Sequence, residues 1–133
     1  MKTTPISKGF TLIELLFIIV LLVAASVLFF VQKNNLEVAQ RDDIRKTSIN
    51  AMFYSIEEVY FTQNGSYPRV IDSAVLPSVD PALFKDPSGV KIGEAESDYR
   101  YEPFNCLEDA CKSYTLRTIL ENEADYVKTN RSN

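Results

Sequence analysis

The sequence predicts an α+β fold in which a long N-terminal α-helix, transmembrane and then amphipathic, packs on a small antiparallel β-sheet. Three observations carry this. Residues 10–31 form an apolar run with a single charge, Glu14, four residues in. Residues 32–63 contain neither Gly nor Pro and repeat apolar side chains at steps of three and four. The last third alternates apolar and polar residues with the period of a half-buried strand.

At 1.5 Å per residue, residues 10–31 span about 33 Å as a helix, enough to cross a bilayer. A carboxylate there costs about 2.5–3.5 kcal/mol on insertion scales, so Glu14 needs a partner or a function. Lys2 and Lys8 lie on the N-terminal side and point that end to the cytoplasm, with the C-terminal part outside. Three readings of this end stand side by side. A secretory signal peptide fits the basic start and the small residues Ala24, Ala25 and Ser26, but the apolar run continues past them through Val31. An uncleaved anchor fits the length and leaves Glu14 unexplained. The third reading rests on a resemblance carried by residues 8–16.

The helix is expected to continue to Gln63. Its apolar face is Ile49, Met52, Phe53, Ile56, Val59 and Tyr60. Arg41, Asp42, Arg45, Lys46, Glu57 and Glu58 read as an ordinary solvated face, with i,i+3 and i,i+4 pairs worth a few tenths of a kcal/mol each. Asn64-Gly65 supplies a C-terminal cap, and Pro68 prevents continuation. Residues 66–97 read as a long loop studded with Pro and Gly. It holds one helical turn at residues 81–84, capped by Asp80 with Pro81 in the first helical position.

Three antiparallel strands follow, at residues 99–104, 114–120 and 125–127, with Glu121-Asn122-Glu123 as the turn between the last two. One sheet face should pack on Ile49, Met52, Phe53 and Ile56. Cys106 and Cys111 fall between the first two strands, where four intervening residues can close a small disulfide loop. Two thiols without His make a poor zinc site, and the spacing is not that of a two-residue redox pair.

The chain has 133 residues, 14 Lys+Arg, 18 Asp+Glu and no His. Without Lys2 and Lys8 the balance is 12 against 18, which argues against broad electrostatic binding of nucleic acid as a partner. No Ser/His/Asp or Cys/His arrangement is available, and no Gly-rich phosphate loop appears, so the chain reads as a non-enzyme needing no cofactor and no metal. Glu94, Glu96, Asp98, Glu108 and Asp109 are oxygen ligands without a spaced calcium motif. Asn64-Gly65-Ser66 and Asn130-Arg131-Ser132 match the glycosylation sequon and are read as chance.

The stretch Lys8-Gly9-Phe10-Thr11-Leu12-Ile13-Glu14-Leu15-Leu16 resembles the class III signal of type IV pilins and pseudopilins. The resemblance implies a type IV pilin fold, cleavage by a prepilin peptidase between Gly9 and Phe10, and N-methylation of Phe10. It also implies a salt bridge from Glu14 to the N-terminal amine of a neighbouring subunit during filament assembly. Residues 64–68 and 85–89 are similar to turn sequences after the long helix of many pilins, and a C-terminal disulfide loop is common there. Many pilins carry a proline at the position of Val31, where this chain departs.

The organisation expected is then a leader at 1–9, a transmembrane assembly helix at 10–31, its amphipathic continuation at 32–64 and a head at 65–133. The partners implied are copies of the same chain in a helical homo-oligomer, the prepilin peptidase, pilus assembly machinery in the membrane, and lipid before assembly. The subunit would sit in the cytoplasmic membrane and then in an extracellular pilus. A minor pilin with an adhesion or DNA-uptake role and a type II secretion pseudopilin are the alternatives.

Overall fold

A computed structural model describes residues 9–131. Residues 1–8 of the leader expected at 1–9, with Lys2 and Lys8, and Ser132 of the second sequon lie outside the described residues. The chain divides into two units, Met1–Glu37 and Val38–Asn133. The fold is α+β, with one long N-terminal helix and a four-stranded antiparallel sheet.

Helix α1 runs over Leu12–Tyr54. In the first unit its side chains are exposed throughout, including Phe17, Leu21, Val27 and Phe30. It is long and apolar enough to span a membrane. Ser26 Oγ donates to Leu22 O at 2.7 Å, so this hydroxyl is satisfied inside its own helix.

In the second unit, Ile49, Met52, Phe53 and Ile56 enter the core as expected. The helix does not continue uniformly. Ser55–Tyr60 is a π-helical turn, followed by a short α2 over Phe61–Asn64. Phe61, not Val59, joins the cluster beside Tyr60, which corrects the expected apolar face. Gly65 then adopts a φ of 67° and its N–H closes on Phe61 O at 2.8 Å, the cap read from Asn64-Gly65.

The sheet consists of β1 (Tyr67–Pro68), β2 (Tyr99–Leu107), β3 (Ala110–Thr118) and β4 (Tyr126–Thr129). β3 is central, pairing with β2 along one edge and with β1 and β4 along the other. β1 escapes sequence reading because two residues, one of them Pro, carry no period. Tyr99, Tyr114, Leu116 and Thr118 are buried, while Phe104 on the opposite face is half-exposed.

Ile119 N donates to Asp98 O at 3.2 Å and continues the β2–β3 register. Arg100, Glu102 and Phe104 therefore bond to β3, and the missing N–H of Pro103 lies on the open edge of β2, where it blunts pairing with another strand. Asn105, at φ 54°, is skipped in the pairing, and Glu108, also at φ 54°, starts the two-residue turn to Ala110. Cys106 and Cys111 are disulfide-bonded. They sit directly opposite one another inside β2 and β3 rather than between strands, because both strands reach further toward the turn than the alternation indicated.

Residues 69–98 wrap the core and contribute Ile71, Leu76, Val79, Phe84 and Ile92 to it. Three aspartates organise this loop. Asp72 accepts from Ala74 N and Val75 N, and these bonds, Val75 first, hold its pKa below the ordinary carboxylate value. Asp80 accepts from Ala82 N at 2.8 Å and caps a 3-10 turn over Pro81–Phe84, as the sequence indicated. Buried Asp86 accepts from Ser88 N, Val90 N and Asp98 N, which ties the loop to the start of β2.

Candidate functional site

The N-terminal end is built from Thr11. Its carbonyl accepts from Leu15 N at 3.1 Å and its Oγ1 from Glu14 N at 3.4 Å, which makes Thr11 the N-cap of α1 and Glu14 the third helical residue. Sequence reading missed this cap. Thr-x-x-Glu before an apolar run was its signal. Glu14 thus lies in the first turn, where a carboxylate favours the positive end of the helix dipole.

Phe10 is 71% exposed, and Leu12 and Ile13 are more exposed still. Gly9 has no left-handed φ, and a Cβ added there would meet no atom within 4 Å. The fold of the described residues therefore places no demand for glycine at position 9. Farther along, Lys33 and Glu37 pair at 3.7 Å with both side chains over half exposed, worth no more than a few tenths of a kcal/mol.

Of the charged residues read as a solvated face, Asp42, Arg45 and Glu57 are buried, Arg41 and Lys46 are half-buried, and Glu58 is exposed. Arg45 is 5% exposed and Asp42 3%. Arg45 donates to Asp42 at 2.9 Å, to Asp98 at 2.9 and 3.0 Å, and to Glu121 at 2.8 Å. Asp42 also accepts from Glu121 N and Asn122 N, and Arg41 grips the same Glu121 through two bonds. Lys46 pairs with Glu123 at 2.7 Å. The expected turn at residues 121–123 is therefore fastened to the helix by charge, because the β3–β4 connection folds over positions that an isolated helix would leave to water.

Burial pulls the Arg45 pKa down, but its bonds to Glu121 and Asp98 outweigh this and raise it. Arg41, then Arg45, hold the Glu121 carboxyl at about 2.

Glu57, the third buried charge of that face, is 8% exposed inside the π-helical turn. Its Oε1 accepts from Tyr114 OH at 2.8 Å and Arg131 N at 3.2 Å, and its Oε2 from Tyr67 OH at 3.4 Å. Burial, and then the bond to Glu57, pushes the Tyr114 hydroxyl above its ordinary value. The Arg131 guanidinium pairs with Glu58 and lies over the Phe53 and Tyr54 rings.

Among the described residues no group of three His, Cys, Asp or Glu side chains is arranged to hold a metal ion. Asp98, one of the oxygen ligands noted in the sequence, is bonded to Arg45 instead. A groove of about 360 Å³ beside the disulfide is lined by Phe61, Gly65, Leu107, Ala110 and Lys112, with Lys112 as its single charge.

Comparison with protein-family models, with curated proteins and with solved structures finds no match to this chain.

Proposed function

We propose that the protein is a structural subunit of the type IV pilin class, processed between Gly9 and Phe10 and polymerised through its N-terminal helix into a filament. One observation carries this reading: a helix exposed and apolar along its first turns and beyond, with one carboxylate in the first turn. In lipid, such a charge is expensive unless a cation reaches it. The amine released at Phe10 by cleavage is such a cation, and on an adjacent copy it would fix the axial stagger of the helices, since wrong registers would leave the carboxylate unpaired. Gly9, which the fold of the described residues does not require, fits the recognition needs of a processing peptidase. Residues 8–16, which resemble the class III signal, add the family-level support.

Glu14→Leu tests the account in a strain that assembles the native filament. The variant is expected to insert into the membrane and be processed as the native chain is, with sheared fibres lost. Fibres at native yield from Glu14→Leu would remove the role assigned to the charge.

A further inference from the structure

The π-helical turn is a one-residue phase slip with a definite outcome at Phe61. In the second unit the outward side of α1 carries Ile44, Thr47 and Tyr54, and Glu58 follows them. At about 100° per residue, an unbroken α-helix would place Phe61, seven positions after Tyr54, within about 20° of Tyr54 on that same stripe. The structure puts it elsewhere. Phe61 N–H closes on Ile56 O, five residues back, and the Phe61 ring stacks on Tyr67 at 4.7 Å. Phe61 is half-buried there, whereas Thr62, Gln63 and Asn64 after it are exposed.

Buried Glu57 lies inside the slip, held by Tyr67 and Tyr114 of the sheet and by the Arg131 amide. A single π-helical turn inside an α-helix accommodates one extra residue, because an i→i+5 bond replaces an i→i+4 bond.

We infer that the Ser55–Tyr60 turn is a phase-setting device: anchored by Glu57, it turns Phe61 off the outward stripe and onto Tyr67, so that Phe61 joins the core of the second unit instead of the exposed side of the helix. This stands on the fold alone and does not depend on the filament reading.

Deleting one residue inside the slip should restore α-helical phase without moving Phe61, whereas deleting one residue in the regular helix should not be tolerated. The full chain in detergent micelles is compared as wild type, as deletions of Glu58 and of Val59, and as a deletion of exposed Thr47. The readouts are cooperative thermal unfolding and NMR cross-peaks between the Phe61 and Tyr67 rings.

The inference predicts that deletion of Glu58 or of Val59 leaves a cooperatively folded chain with those cross-peaks retained. Deletion of Thr47 should abolish cooperative unfolding, because it rotates Arg45 and Asp42 against Ile49 and Met52. The inference is overturned if both slip deletions fail to fold, if they fold without the Phe61–Tyr67 cross-peaks, or if the Thr47 deletion is tolerated as well as they are.

Discussion

At the scale of single residues, the informative side chains are charges whose surroundings differ from those a helical wheel assigns. Glu121 is held at about 2 against its ordinary 4.5. A carboxyl lowered by folding stabilises the native state above the ordinary pKa, and loses that contribution as pH falls through the lowered one. The window is therefore about pH 4.5 down to 2. Glu121→Gln should lower the thermal midpoint at pH 6 and flatten its fall between pH 5 and 2, read by circular dichroism. Parallel acid profiles for the two proteins would show that the Arg41–Glu121–Arg45 contacts do not stabilise the fold.

Part of this scale was legible. Asp80 with Pro81, and Asn64 with Gly65, are local signals, and local physics decided them. Arg45 was not, because its partners Asp98 and Glu121 lie 53 and 76 residues away in the chain. Amphipathic reading sends charges to water. It has no way to register a carboxylate arriving from a distant loop.

At the scale of elements, the sheet followed from alternation and the long helix from periodicity. Tyr99, Tyr114 and Leu116 face Ile49, Met52 and Ile56 in one core, as the two periods together require. What composition could not reveal was the slip at Ser55–Tyr60, since one extra residue in a turn leaves no mark on residue type. The two-residue β1 was invisible for lack of length.

The β2–β3 hairpin gives a test at this scale. Its disulfide closes a short loop, for which loop-closure entropy gives about 2 kcal/mol. Cys106→Ser with Cys111→Ser should therefore lower the urea midpoint of the second unit by an amount equivalent to about 2 kcal/mol, with helical circular dichroism retained. Equal midpoints would mean that the Tyr67, Tyr101 and Tyr114 packing beside it holds the hairpin without the bond.

For the whole molecule, two sets of demands divide the chain. The second unit buries its apolar surface with its own loops and strands, and even its charged helix face is matched internally. The first unit does nothing of the kind. Its long side chains from Phe10 to Val31 remain exposed, so their burial has to come from lipid or from other chains. That contrast was legible from the sequence, because an apolar run of this length has few other uses.

A partner for the exposed helix is proposed only through the resemblance at residues 8–16, since apolar surface by itself does not distinguish lipid from protein. The small residues Ala24, Ala25 and Ser26 would allow close approach of helices, and Glu14 would allow one register among them.

Processing followed by assembly is proposed for this chain, and the mass of its mature N-terminus decides the first step. Intact-mass and N-terminal peptide measurements on the chain isolated from membranes should show a start at Phe10 carrying one methyl group. A chain that begins at Met1, or one cut after Ser26, would contradict the account.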